Sequence, residues 1–139
     1  MITVLNCVTT EHDLRLVLLA AVACLIGVAA AVRLLVHARD SEGGVGLAWL
    51  GLSGGVTGAS VWATHFIAML GYRPDQGSSY ELFGTIASLL VAVCGAIGAF
   101  AILHLRRGRV SEVASGVALG GIIAAVHYSG MAAVQTNGV

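Results

Sequence analysis

Apolar positions fall in four long runs, and the short stretches between them hold most of the charge. The runs cover residues 14–36, 46–71, 82–105 and 113–134. Each reaches the length of roughly 20 predominantly apolar residues that a helix needs to cross a bilayer. Arg15 and Arg33 sit near the two ends of the first run, and the second carries no Asp, Glu, Lys or Arg. The connectors run from His37 to Gly44, from Tyr72 to Glu81 and from Arg106 to Glu112, and the sole proline, Pro74, falls in the middle one. Backbone polar groups in lipid must be satisfied within their own segment, so these runs predict helices. The expected fold is an all-α, polytopic membrane four-helix bundle, a single domain over residues 1–139. The first run exceeds a signal-peptide core, and its flank of Glu11, Asp13 and Arg15 lacks the basic start of such peptides. It reads as a retained helix.

Composition narrows the class further. Of 139 residues, 58% are hydrophobic and 10% charged, and the mean hydropathy is +0.92. Soluble domains carry roughly 25% charged residues. This shortage excludes a disordered chain, a basic nucleic-acid binder and a water-soluble monomer. Seven Arg, no Lys and seven acids sum to zero net charge, so the total says nothing about partners. Their distribution does. Arg33, Arg39, Arg106, Arg107 and Arg109 fall on the side of connectors one and three, against Arg15 and Arg73 on the other. The positive-inside rule places that Arg-rich side in the cytoplasm and both chain ends outside. Cys24 and Cys94 fall mid-helix and Cys7 outside, without the spacing of a disulfide frame or metal clip.

The second and fourth runs align without a gap at an offset of 62: Ser53 with Ser115, Gly54 with Gly116, Gly58 with Gly120, His65 with His127, Met69 with Met131. The first and third align more weakly at an offset of 68, pairing Gly27 with Gly95 and Arg39 with Arg107. The unit is a helical hairpin used twice in the same orientation. At helical spacing, Gly54, Gly58, Val61, His65 and Met69 share one face, copied as Gly116, Gly120, Ile123, His127 and Met131. Gly-x-x-x-Gly lets a neighbouring helix approach closely. Both copies of the stripe are therefore expected on a packed face, with Gly54, Gly58, Gly116 and Gly120 at helix contacts.

Ionisable side chains inside a membrane are costly and raise a functional hypothesis by default. Imidazole suits Zn, Cu, Fe and Ni, whereas thioether selects soft ions such as Cu(I). Two His-x-x-x-Met pairs on parallel helices would supply His65, Met69, His127 and Met131 as four metal donors near the outer face. His12, beside Glu11 and Asp13 just before the first helix, is a further donor candidate or a pH-sensitive lid. The residues alone leave three readings open: a metal site, a haem-b electron carrier with His65 and His127 as axial ligands, and a structural membrane module without cofactor. Trp62, Phe66 and Tyr128 read as packing or interfacial belt residues, Tyr128 also as a hydrogen-bonding neighbour of a ligand. A phosphate loop, a Cys-x-x-Cys pair and a close intrahelical carboxylate pair are all lacking, so the chain is not expected to be an enzyme.

Around the two histidines, Trp62-Ala63-Thr64-His65-Phe66-Ile67-Ala68-Met69-Leu70 and Val126-His127-Tyr128-Ser129-Gly130-Met131-Ala132-Ala133, the sequence resembles the MHYT family of bacterial integral membrane sensor domains. The start, Cys7 through His12-Asp13-Leu14, is similar to that family's first helix. The resemblance implies a multi-pass protein of the bacterial inner membrane with a His and Met cluster near the outer face. It further implies copper binding, perception of a diatomic gas (O2, CO or NO) or of redox state, and signal transduction to a cytoplasmic output domain. Where the family's motif opens with Met, this sequence has Thr64 and Val126, which leaves Met69 and Met131 as sulfur donors. The family typically has three motif copies and six or seven helices. Here the chain stops soon after the second copy, so a truncation or short variant is expected, with a homo-oligomer as one way to supply missing helices.

Overall fold

The computed structural model describes residues 13–71, 78–80, 82–106, 108–132 and 134–136. Four helices dominate: α1 (Leu14–Asp40), α2 (Gly43–Gly71), α3 (Leu82–Leu105) and α4 (Arg109–Ala132). All four are long and apolar enough to cross a membrane. The side chain of Asp13 caps α1 by accepting from the Arg15 N–H at 3.0 Å. The Asp13 N–H in turn donates to the Gly71 carbonyl at 2.8 Å, which ties the start of α1 to the end of α2.

Four helix bounds differ from the apolar runs. α1 continues past residue 36 to Asp40, α2 starts at Gly43 rather than 46, and α4 spans Arg109–Ala132 rather than 113–134. Apolar runs mark only what lies in hydrocarbon, while the backbone ladder extends into the headgroup zone wherever side chains are wetted. His37 Nδ1 bonds the Arg33 carbonyl at 2.8 Å on this added turn. Gly43, with φ +59°, and Gly108, with φ +135°, then permit the tight reversals into α2 and α4.

Beside the helices, β1 (Ser78–Tyr80) pairs antiparallel with β2 (Val134–Thr136), Ser79 opposite Gln135. The ladder joins the α2–α3 connector to the segment after α4. Strands of three residues are too short to carry a readable alternation, so the sequence does not announce them.

Each helix packs on its neighbour in the chain, and α2 also touches α4, whereas α1 and α4 do not form a packed pair among the described residues. The seams are lined by small side chains. Ala20, Gly27, Ala31 and Ala38 are the buried residues of α1, and Ser88, Ala92, Ala96 and Ala99 recur on α3. Large apolar side chains point out instead: Leu25 is 70% and Phe83 78% exposed. Among lipids nothing drives large apolar groups inward, and small residues win the interface by allowing backbone approach. One cluster that includes larger groups, Leu50 and Phe100 around Ala38 with Leu35 and Leu119 against it, sits toward the α1–α2 and α3–α4 turns.

The internal repeat reappears as matched contacts. Ser53 Oγ of α2 donates to the Ala31 carbonyl of α1 at 2.8 Å, and Ser115 Oγ of α4 donates to the Ala99 carbonyl of α3 at 2.7 Å. Ser53 and Ser115 differ by 62, Ala31 and Ala99 by 68, the two offsets of the sequence alignment. A Cβ on Gly27 would meet Ser60, and one on the equivalent Gly95 would meet Ile122, the equivalent of Ser60. Gly51-Leu52-Ser53-Gly54-Gly55 carries the letters of a nucleophile elbow, yet Ser53 is buried within α2 and engaged with Ala31. Ser53→Ala and Ser115→Ala should each cost about 0.6–1 kcal/mol, the usual worth of an interhelical bond in a membrane. Unfolding in mixed micelles would measure both. Costs differing severalfold would contradict equivalent hairpins.

Candidate functional site

His65 lies on α2 and His127 on α4, each roughly 8–9 Å of helix rise from the end nearest the β1–β2 ladder. The α2–α4 contact brings their rings together, with centroids 5.2 Å apart and planes at 81°. The rings belong to a longer aromatic run. Phe66 lies 5.3 Å from His65 and 4.7 Å from Trp62, and Tyr128 lies 5.5 Å from His127. Trp62 anchors the run to α3, its indole N–H reaching Ser88 Oγ at 3.1 Å and the Thr85 carbonyl at 3.3 Å. Trp62 thus packs between helices, one of the two roles its position in the sequence suggests.

A cavity of about 520 Å³ opens beside the pair, lined by Cys24 of α1, Thr64 and His65 of α2, and Gly120, His127 and Tyr128 of α4. Two polar atoms of its α2 lining residues, His65 Nε2 and Thr64 Oγ1, are buried without a hydrogen-bond partner. Buried polar groups are nearly always paired, so an unpaired imidazole nitrogen marks a place where a ligand would gain a strong contact. Cys24 reads in sequence as a small core residue, and only the α1–α4 gap reveals it as a cavity wall.

The repeated stripe is packed in its first copy only. A Cβ on Gly54 would lie 2.6 Å from Ile97 Cα, and one on Gly58 would lie 2.5 Å from the Ala92 carbonyl oxygen and Val93 Cα. These two glycines are buried against α3, as expected. Gly116 and Gly120 have no such neighbour within 4 Å, and His127 is exposed. Met69 is half-buried, but Met131 is 46% exposed. The expectation of a packed face thus fails for the second copy. The reason is positional: α3 follows α2 and covers its glycine face, while among the described residues no helix covers the same face of α4. Among the described residues, no third His, Cys, Asp or Glu joins the pair. His12 lies outside the described residues.

The family model described as MHYT, bacterial signalling protein N terminal repeat, matches residues 58–116, from the packed glycine of α2 through α3 into α4. The chain carries an MHYT repeat. A protein named as a signalling protein of Caulobacter vibrioides is 45% identical over 134 residues, 96% of this chain and 17% of that relative. A Pseudomonas aeruginosa cyclic di-GMP phosphodiesterase, NbdA, is 34% identical over 89 residues, 63% of this chain and 11% of its own. The bifunctional diguanylate cyclase/cyclic di-GMP phosphodiesterase MucR of the same organism is 35% identical over 97 residues, 68% of this chain and 14% of its own. The chain therefore spans less than a fifth of each of these relatives. No solved structure matches. The matched MHYT stretch holds His65 and Met69; the second motif, with His127 and Met131, lies beyond it and is identified by the internal repeat.

Proposed function

We propose that this chain is the membrane-embedded sensory part of a bacterial signalling protein, with copper held by His65 and His127. The buried, unpaired Nε2 of His65, beside the His127 ring in a shared cavity, is the observation that supports this reading most directly. Among the described residues no third His, Cys, Asp or Glu clusters with the pair, although Cys24 lines the same cavity. The thioether donors proposed here, Met69 and Met131, follow the histidines by one turn and lie outside the cavity lining. Nitrogen and thioether together favour copper, Cu(I) in particular. Copper would supply an electron-rich centre able to take a diatomic gas or to change redox state, and that event is the proposed signal. The α2–α4 contact that brings the imidazoles together is the element through which occupancy would bias helix packing.

The chain itself is proposed to be non-enzymatic. Output, such as the cyclic di-GMP turnover named for the Pseudomonas relatives, would belong to a cytoplasmic domain outside these 139 residues. The deciding experiment is elemental analysis of purified wild type against His65→Ala/His127→Ala. Copper in the first and its loss in the second is expected; equal content overturns the assignment, and a strong Soret band would turn it toward haem.

Orientation follows from the arginines. Arg33, Arg39, Arg106 and Arg109 gather toward the α1–α2 and α3–α4 turns, and Arg15 lies at the other end. Reporter fusions should place the α3–α4 turn in the cytoplasm and the α2–α3 connector outside. The reverse result would put the histidine pair at the cytoplasmic face.

A further inference from the structure

The gap between α1 and α4 does not stop at the histidine cavity. Cys24 lines that cavity and also the next one, of about 270 Å³, whose walls include Val28, Val32 and Leu35 of α1, Phe100 of α3 and Leu119 of α4. About one turn further toward the α1–α2 and α3–α4 turns lies a third, polar space of about 680 Å³. It is lined by five charged residues, Arg39, Asp40, Glu42, Arg106 and Glu112, and by His104. Among the described residues no ion pair ties these five groups to one another or to other side chains. Five charges of both signs therefore surround one cleft, with an apolar slot beginning a turn above it.

We infer that this cleft and slot seat one phospholipid whose headgroup carries both a phosphate and an ammonium, the phosphatidylethanolamine class. Arg39 and Arg106 hold the phosphate, since guanidinium is the preferred partner of phosphate oxygens. Asp40, Glu42 and Glu112 face the ammonium. A headgroup bearing only negative charge would pair with the guanidiniums and leave Asp40, Glu42 and Glu112 without a partner, whereas one that also carries an ammonium pairs with both signs. One acyl chain lies along Val28, Val32, Leu35, Phe100 and Leu119. The helix rise from Leu35 to Arg39 and from Phe100 to Arg106 is roughly 6–9 Å, a span that suits a phosphate above the first part of its acyl chain. So placed, the lipid bridges α1 and α4, which are not packed on one another. It occupies the leaflet opposite the histidine pair and does not depend on copper.

The test uses the 139-residue chain purified in mild detergent and examined by native mass spectrometry. Wild type should retain one phospholipid per chain and prefer phosphatidylethanolamine over phosphatidylglycerol by about tenfold or more. Glu42→Gln/Glu112→Gln, at exposed positions that do not enter the core, should erase that preference while helicity stays unchanged. Val32→Trp/Leu119→Trp should remove the lipid with every charge intact. Equal retention of the two lipids by wild type would overturn the assignment. So would unaltered retention in the tryptophan variant, or full displacement by soluble glycerophosphoethanolamine, which has no acyl chain.

Discussion

Gly58→Leu should disrupt the packed four-helix unit, and Gly116→Leu should leave it intact. The two substitutions are chemically identical and fall in equivalent helices of the repeat. At Gly58 a new Cβ would lie 2.5 Å from the Ala92 carbonyl oxygen and from Val93 Cα, so the obstacle is backbone. Overpacking costs about 1–3 kcal/mol where side chains can adjust, and more where they cannot. Leucine's further atoms would push α3 away from α2, and with it the Ser88 and Thr85 partners of Trp62. At Gly116 no atom outside its own helix lies within 4 Å of a Cβ. Leucine also propagates helix better than glycine by up to about 1 kcal/mol, so this substitution should be neutral or mildly stabilising. Unfolding in mixed micelles, followed by tryptophan emission and helicity, compares the two. A Gly116→Leu chain as impaired as Gly58→Leu would mean that the α4 face is covered after all.

Copper loading should fall by at least about 100-fold in affinity for His65→Ala, more than the 10–100-fold typical of losing an outer-shell partner. His127→Ala should weaken binding comparably, because the two rings share one site. The sulfur positions should not be equivalent. Met69, half-buried on α2, should matter more than Met131, which is 46% exposed on α4. Their loss should weaken Cu(I) selectively, because thioether contributes little to Cu(II). Titration of each variant with Cu(I) under a competing chelator, and with Cu(II) separately, reads these differences. A Met69→Leu chain that binds Cu(I) as wild type does would leave a site of two imidazoles and discard the His-x-x-x-Met reading.

Much of the fold was legible without coordinates. Four helices stand where four apolar runs lie, and α3 (Leu82–Leu105) matches its run at both ends. The repeat was legible too, since the matched bonds of Ser53 and Ser115 confirm both alignment offsets, including the weaker one. Helix ends beyond the hydrocarbon were not, because polarity there no longer constrains the backbone. The site was legible in part. The pattern at residues 65 and 127 singled out the histidines, and helical spacing placed the methionines on the same stripe. It could not tell that Gly54 and Gly58 are covered while Gly116 and Gly120 are bare, because both copies spell the same motif. Nor could it find Cys24 or Thr64, whose importance comes from facing a cavity.

What the sequence by itself determines is one-dimensional: which segments can enter a membrane, the twofold use of a hairpin, and the few polar residues carried inside. Hydrocarbon imposes those requirements on each segment separately, so each segment must display how it meets them. What only the tertiary structure decides is which of two identical faces is covered, that the His65 and His127 rings lie 5.2 Å apart, and that α1 and α4 leave a gap between them. Those outcomes depend on what stands beside each helix. The pattern along a single helix does not record its neighbours.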